Sequence, residues 1–266
     1  MRSVLALIRV SWLTHTSYRL NVIMSVLGLA ALFIPIYFVA GALQPVVADS
    51  IADEGEVYFG FLITGMVILQ FLSVGMNAVP NAVSGGINSG VLEALFATPT
   101  RVERLLAGMI GYETLWAAFK GVLLLVAFVA VGGEVALSGV PLALGILLLL
   151  FLAHLPLGLL AAAMILVFRT SGPLIPGLMA AFSLLGGVYY STTVIPEVVR
   201  PLAEVIPLTY GLRAFRRAFL SGEPLAVVAG DVLILAAMAA ALMLAGVIAF
   251  RWSLNYARRA GSLAQY

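Results

Sequence analysis

Long runs of apolar residues limit what this chain can fold into more than any other feature. One of them, residues 142–168, contains no Asp, Glu, Lys or Arg and ends directly before Arg169. An α-helix rises 1.5 Å per residue, so a run of this length spans the roughly 30 Å hydrocarbon core of a bilayer. Because backbone polar groups in lipid must be bonded within the protein, the run is predicted to be a membrane-spanning helix.

The composition agrees with a membrane protein. Hydrophobic residues make up 63% of the 266 residues and charged residues only 10%, whereas soluble domains carry about 25% charged residues. The short alternating segments of a β-barrel are absent. The first apolar run is too long for the core of a signal peptide, so its removal is not predicted. There is no cysteine, which excludes disulfides and thiolate sites.

Six apolar runs predict an all-α membrane protein with six transmembrane helices. The runs cover residues 21–43, 57–76, 105–131, 142–168, about 173–190 and 232–250. After the second run, residues 77–90 are rich in turn-forming residues, which predicts a loop.

The first twenty residues are too mixed in polarity to span. Their apolar residues at helical spacing, and the arginines that lie off that face, are Val4, Leu5, Ile8 and Trp12, and Arg2, Arg9 and Arg19. This pattern predicts an amphipathic helix over residues 1–20 that lies in the membrane interface.

The distribution of arginine predicts the orientation. Nine arginines fall on one predicted side of the membrane: Arg2, Arg9, Arg19, Arg101, Arg104, Arg169, Arg251, Arg258 and Arg259. The first two loops on the other side contain neither lysine nor arginine. The positive-inside rule therefore places both termini in the cytoplasm.

One segment departs from this rule, since Arg200, Arg213, Arg216 and Arg217 all precede the last run. Either the segment is cytoplasmic and the number of spans is wrong, or it is an outer structure held in the interface. The sequence favours the second interpretation, because Pro201 and Pro207 divide it into short pieces.

The segment is predicted to contain a short amphipathic helix over residues 210–220. Thr209 is the predicted N-cap and Gly222 the predicted stop. Its apolar face and its arginine face comprise Leu212, Phe215 and Phe219, and Arg213, Arg216 and Arg217. Such a helix would lie flat with its arginines toward lipid phosphates.

Residues 186–222, GGVYYSTTVIPEVVRPLAEVIPLTYGLRAFRRAFLSG, resemble the signature region of ABC-2-type transporter permeases. The matching residues are Gly186, Gly187, Tyr189, Tyr190, Ile195, Pro196, Glu197, Pro207, Leu208, Thr209, Tyr210 and Arg213. One departure is that residues 191–193 read STT where many members have a proline.

A second segment, residues 90–110 (GVLEALFATPTRVERLLAGMI), resembles the cytoplasmic segment of the same family. Its matching residues are Leu92, Glu93, Leu95, Ala97, Thr98, Pro99, Leu105, Leu106 and Gly108. With the hydropathy profile, the resemblance covers nearly the whole chain, so residues 1–266 are identified as a single ABC-2-type transmembrane domain.

The resemblance implies a half-sized export permease of the prokaryotic plasma (inner) membrane, paired with a second copy of itself. Each copy would dock one ATP-binding cassette subunit through a coupling helix at residues 90–101, within a region of 87–101. The implied contacts with that subunit are Leu92, Glu93, Phe96, Thr98, Pro99 and Arg101.

The resemblance also implies that residues 191–224 form short extracellular re-entrant helices near the exit of the transport path. The implied exit residues are Tyr189, Tyr190, Pro196, Glu197, Pro207, Tyr210 and Arg213. The cargo of this family includes polysaccharides, lipid-linked glycans, lipids, drugs and peptides.

The chain is not predicted to hydrolyse ATP itself. A phosphate-binding P-loop requires a lysine between glycine and serine or threonine, and the one lysine, Lys120, follows Phe119 in an apolar run. ATP and magnesium are therefore expected on the partner subunit, and no cofactor, metal, catalytic residue or nucleic acid is predicted for this chain.

Two charged residues within the third run are candidates for the transport path or the dimer seam. Glu113 and Lys120 are seven residues apart, hence on one helix face about two turns apart. Each costs roughly 3 kcal/mol at the centre of a bilayer, so both are expected to face protein or water. Interfacial snorkelling or structural pairing is the alternative.

Other candidates carry two interpretations as well. His154 is either a functional ionisable group or a neutral imidazole bonded to a carbonyl that Pro156 leaves free. The tyrosines near predicted outer ends, Tyr37, Tyr58, Tyr189 and Tyr190, form either an ordinary aromatic belt or a rim that stacks sugars or guides lipids.

Two other classes of protein remain as alternatives. A proton-coupled secondary transporter needs a relay of buried carboxylates or histidines, for which Glu113 and His154 are the candidates. A non-transporting scaffold needs no ATPase partner. Copurification with an ATPase separates the first class from both.

Overall fold

The computed structural model describes residues 9, 12–13, 17–88, 102–168, 170 and 173–259. Eight α-helices lie within residues 19–259 of this part. They are α1 (Arg19–Ile51), α2 (Tyr58–Asn88), α3 (Val102–Ala130), α4 (Val140–Phe168), α5 (Leu174–Leu185), α6 (Arg200–Glu204), α7 (Pro207–Phe219) and α8 (Leu225–Arg259). Short 3₁₀ helices occur at Leu137–Gly139 and Thr192–Val194. The described residues contain no β-strand.

Five helices are long and apolar enough to span a membrane, which confirms an all-α integral membrane protein. These candidate spans are Arg19–Ile51, Tyr58–Gly85, Ile110–Ala130, Leu137–Phe168 and Leu225–Ala257. The fifth predicted run instead forms α5, which has 12 residues and a length of about 18 Å. It ends because Gly187 adopts a positive φ of 84°, so six full-length helices are not observed in the described chain.

The second helix is longer than the sequence predicted. Residues 77–88 lie within α2, although their asparagines, serine and glycines suggested a loop. The helix absorbs these polar groups, since Asn77 Nδ2 donates to the carbonyl of Ser73 at 2.9 Å and Ser84 Oγ to that of Asn81 at 3.5 Å. The loop prediction was therefore wrong for residues 77–88, and residues 89–101 lie outside the described part.

Helix α4 is the centre of the bundle and packs against α2, α7 and α8. Glycines permit its closest crossings, because a Cβ at Gly158 would lie 2.5 Å from the carbonyl oxygen of Gly75 on α2. Such small residues allow membrane helices to approach closely. By contrast, α1 packs mainly against α2, with a smaller contact to α3, and most of its apolar surface is exposed.

The predicted N-terminal amphipathic helix falls mostly outside the described residues. Arg9, Trp12, Leu13 and Ser17 are helical where they are described. The indole of Trp12 contacts that of Trp116 on α3, with ring centroids 6.3 Å apart. Trp12 therefore lies beside α3.

One end of the bundle, here called the α7 end, holds the α1–α2 turn, the α3–α4 connection, residues 186–199, α6 and α7. Helix α7 begins at Pro207 with Ile206 as N-cap, so the prediction that Thr209 is the N-cap was wrong. Thr209 instead lies inside the helix and its hydroxyl donates to the carbonyl of Ala203 at 2.7 Å. Gly222 follows the helix with the left-handed φ of 70° that a helix stop favours.

Candidate functional site

Arg216 is fully buried at the α7 end, with 0% of its surface exposed. The apolar face of α7 is buried as predicted, including Leu212, Phe215 and Phe219. The helix is covered on its other side too, by α2 and by the segment after α5. The prediction that Arg216 faces lipid phosphates was therefore wrong, because the sequence pattern does not show what packs on the polar side.

The guanidinium of Arg216 makes five hydrogen bonds. Nη1 donates to Glu54 Oε2 at 2.8 Å and to the carbonyl of Gly187 at 2.9 Å. Nη2 donates to the carbonyls of Phe61 at 3.0 Å and Val188 at 3.1 Å, and Nε to Thr64 Oγ1 at 3.3 Å. A guanidinium has five N–H donors, so this cation is fully satisfied without water.

Glu54, in the α1–α2 turn, continues the network to residues 191–193. It is 6% exposed, and its Oε1 accepts a hydrogen bond from Ser191 Oγ at 3.1 Å. Ser191 Oγ in turn accepts from Thr193 Oγ1 at 3.0 Å. We call these residues, Arg216, Glu54, Thr64 and Ser191, the Arg216 network.

Close packing of α2 against the segment after α5 makes this geometry possible. A Cβ at Gly65 would lie 2.7 Å from the carbonyl oxygen of Val188, which itself accepts from Arg216. The positive φ of Gly187 turns the chain so that successive carbonyls of Gly187 and Val188 meet the guanidinium. Four separate segments therefore meet at one buried charge.

Burial lowers the pKa of Arg216 to about 10, and the neighbouring carboxylate of Glu54 opposes this decrease. The guanidinium therefore remains charged at neutral pH. Removing one partner of such a buried pair leaves an uncompensated charge and costs about 3–5 kcal/mol. The network is thus expected to hold its four segments in one arrangement.

The other arginines of the segment also have partners within the protein. Arg213 binds Asp231 of α8 with two hydrogen bonds, of which Nε to Oδ2 measures 2.9 Å, and this bonding raises the pKa of Arg213. Arg217 Nε lies 2.7 Å from Glu223 Oε2. Arg200 donates to the carbonyls of Thr193 and Ile195.

These contacts account for the arginines that departed from the positive-inside pattern. Three of the four, namely Arg213, Arg216 and Arg217, form ion pairs. The fourth, Arg200, donates hydrogen bonds to backbone carbonyls. Partners within the protein thus compensate the charge of this segment, and contact with phosphates stays a prediction for the partly exposed Arg213 and Arg217.

The predicted exit residues all lie at the α7 end but do not form one cluster. Tyr210 and Arg213 line a cavity of about 190 Å³ together with Thr192, Thr193, Arg200 and others. The backbone carbonyl of Tyr189 accepts from the hydroxyl of Tyr58 at 2.7 Å.

The remaining exit residues differ in exposure. Tyr190 is half-buried, Pro196 and Glu197 are exposed, and Pro207 is buried as the first residue of α7. They do not converge on the cavity of Tyr210 and Arg213. The predicted exit residues are thus divided between buried positions and the protein surface.

The two charged residues of α3 have different surroundings. Lys120 Nζ donates to Gln70 Oε1 of α2 at 2.7 Å, which is a structural pairing, whereas Glu113 is exposed. A role of either residue in a path or dimer seam stays a prediction.

His154, in α4, is fully buried, and its Nδ1 lies 2.7 Å from the carbonyl oxygen of Leu150. Its ring also packs edge-on against Phe182 of α5. Pro156 would free the carbonyl of Leu152, one turn before the proline, so a carbonyl does bind the imidazole but not the one predicted.

The implied contacts with an ATP-binding subunit, Leu92, Glu93, Phe96, Thr98, Pro99 and Arg101, lie outside the described residues. The sequence pattern did not reveal Glu54, Thr64 and Asp231 as partners of the arginines, or Ser191 as a partner of Glu54. Three other acidic residues lie close to Glu54 in the chain, so no local signal distinguishes the buried one.

Five apolar helices of spanning length, closed at one end by short helices around a buried ion pair, define an integral membrane protein of the helical-bundle class. A model of the ABC-2 type transporter family matches residues 2–220. The chain therefore belongs to the ABC-2 type transporter family, whose membrane domain is the permease component of an ABC transporter. A search of curated proteins found no match.

Proposed function

We propose that this chain is the permease subunit of an ATP-driven exporter, energised by a separate ATP-binding subunit. Family membership supports a permease that works with such a subunit. The observation that carries the proposal is the difference between the two ends of the bundle. The α7 end is braced by a buried ion pair, whereas at the opposite end α2 ends at Asn88 and α3 begins at Val102, and the sequence between them resembles a coupling helix.

The charges support an orientation with the α7 end outside and both termini in the cytoplasm. Nine acidic residues lie at the α7 end against the four arginines: Asp49, Asp53, Glu54, Glu56, Glu134, Glu197, Glu204, Glu223 and Asp231. The other nine arginines fall, by their positions in the sequence, in segments at or next to the opposite end of the bundle. A cytoplasmic excess of arginine is the usual signal for this orientation, here in a prokaryotic inner membrane.

A sixth crossing is part of the proposal. The end of α4 packs with the ends of α2 and α8, through residues such as Ile165, Val83 and Phe250, whereas Gly187 binds Arg216 at the α7 end. These contacts support a return of the chain across the bundle between residues 168 and 187, although α5 supplies only 12 helical residues. The short extracellular helices are α6 and α7.

In the working complex, two copies of the chain would pair and form the path between them. Two ATP-binding subunits, which hold ATP and magnesium, would dock at residues 90–101. Their closure would move this segment and shift the helices as a rigid body. The cargo belongs to the classes this family exports, which are polysaccharides, lipid-linked glycans, lipids and drugs.

Copurification with an ATP-binding subunit encoded near its gene tests this proposal. We expect a stable complex, and we expect Glu93→Arg to weaken it because the charge reversal falls in the docking segment. Asp53→Arg, a reversal on the exposed α1–α2 turn at the other end, is the matched control and should leave the complex intact. A complex that Glu93→Arg leaves intact and Asp53→Arg disrupts would contradict the proposal.

A further inference from the structure

A cavity of about 1130 Å³ lies at the α7 end between α1, α2 and the α3–α4 connection. This exceeds the volume of most sites for small molecules, about 300–1,000 Å³. The cavity is distinct from the Arg216 network, because none of the network's four residues lines it.

One wall of the cavity is a continuous row of aromatic rings. The centroids of Phe38 and Tyr37 are 5.6 Å apart, those of Tyr37 and Phe59 5.2 Å, and those of Phe59 and Phe128 5.5 Å. Phe38 is 69% exposed, so most of its ring surface is accessible to a ligand. The row offers both buried and accessible ring surface to an apolar ligand.

The charge of the cavity is negative. Glu56 and Glu134 line it, and its lining contains no lysine, arginine or histidine. Neither glutamate forms an ion pair among the described residues, where the arginines of this end bind Glu54, Asp231 and Glu223 instead.

Gln44, a further polar side chain of the wall, is already bonded. Gln44 Nε2 donates to the carbonyl of Glu56 at 2.8 Å, and Gln44 Oε1 accepts from the backbone N–H of Tyr58 at 2.6 Å. Gln44 therefore braces the wall and leaves the carboxylates as its charged groups.

We propose that this cavity binds an amphiphilic organic cation. Aromatic faces attract cations, and the attraction increases when water is excluded. The ring row would pack against the apolar body of the ligand while Glu56 and Glu134 hold its positive charge. Binding is a property of this chain alone, so it is independent of the ATP-binding subunit and of the proposed transport.

Two probes of the same shape and opposite charge test the proposal. Tetraphenylphosphonium and tetraphenylborate would be titrated into the purified full-length chain in nanodiscs of zwitterionic lipid, with empty nanodiscs subtracted. We expect saturable binding of the cation and none of the anion. Equal binding of both probes would mean partition into apolar surface and would overturn the proposal.

Matched variants locate the site. Glu56→Gln with Glu134→Gln removes two charges from the lining and should weaken cation binding about tenfold, because both charge contacts with the ligand are lost. Phe38→Ala should also weaken binding, and because Phe38 is exposed its removal is not expected to disturb the fold. Asp49→Asn with Asp53→Asn removes two nearby exposed charges outside the lining and should leave the affinity unchanged.

Gel filtration and the thermal unfolding midpoint establish that each variant is folded. Cation binding that persists in both the double glutamine variant and Phe38→Ala, or that falls equally in the double asparagine control, overturns the assignment to this cavity.

Discussion

At the scale of single residues, Arg216 is the position where structure and sequence pattern differ most. Its five hydrogen bonds use every donor of the guanidinium, and its Cζ lies 3.3 Å from the centroid of the Phe61 ring. A buried ion pair adds little net stability compared with apolar residues, but losing one partner is costly. We infer that the pair fixes the position of α7 against α2.

Arg216→Met is expected to lower the free energy of unfolding by about 3–5 kcal/mol, because it leaves the carboxylate of Glu54 buried without a cation. Adding Glu54→Gln should restore part of this loss. The measurement is the thermal or denaturant unfolding of the purified protein in detergent.

Arg217→Met is the control, since the ion pair of Arg217 with Glu223 is partly exposed and such pairs contribute at most about 1 kcal/mol. Equal losses for Arg216→Met and Arg217→Met would show that the Arg216 network does not hold the α7 end together.

The residues also show why the site could be predicted only in part. The periodicity of α7 correctly predicted the buried stripe of Leu212, Phe215 and Phe219. It could not predict that Arg216 is buried, because its partner Glu54 is 162 residues away in the chain. Burial of a charge depends on such distant contacts, which a local pattern does not contain.

At the scale of elements, the sequence predicted the existence of the long helices better than their ends. Apolar length alone predicts α1, α3, α4 and α8, since lipid requires internal backbone bonding. The predicted end of α2 was wrong, because turn-forming residues remain helical when their side chains bond to the preceding turn. The end of α5 depends on the turn at Gly187, which the apolar pattern does not show.

The crossing of α2 and α4 depends on the absence of a side chain at Gly158. Gly158→Ala would place a Cβ about 2.5 Å from the carbonyl oxygen of Gly75, so the helices would have to separate. We expect a loss of about 1–3 kcal/mol in the free energy of unfolding, as for other overpacked interiors. The unfolding midpoint in detergent is the measurement.

Gly145→Ala, in the same helix, provides the matched control. No atom lies within 4 Å of a Cβ at Gly145, and alanine favours a helix over glycine by about 1 kcal/mol. This variant should be as stable as the natural protein or more so. A Gly158→Ala protein that is equally stable would mean that the crossing is looser than the structure shows.

At the scale of the whole molecule, the chain has two chemically different ends. Acidic residues and internally paired arginines occupy the α7 end. The other end holds the last residues of α2 and the first residues of α3, and the sequence between these helices resembles a coupling helix. A permease moved by a cytoplasmic ATPase requires that these ends face opposite sides of the membrane. The proposal therefore depends on the orientation of the chain.

Single-cysteine labelling measures that orientation directly, because the natural chain contains no cysteine. Glu197→Cys, at an exposed position of the α7 end, and Thr98→Cys, in the proposed docking segment, would be treated in intact cells with a maleimide that cannot cross membranes. We predict that Glu197→Cys reacts in intact cells and that Thr98→Cys reacts only after permeabilisation. Reaction of Thr98→Cys from outside intact cells, with Glu197→Cys protected, would contradict the proposal that a cytoplasmic ATPase moves this chain.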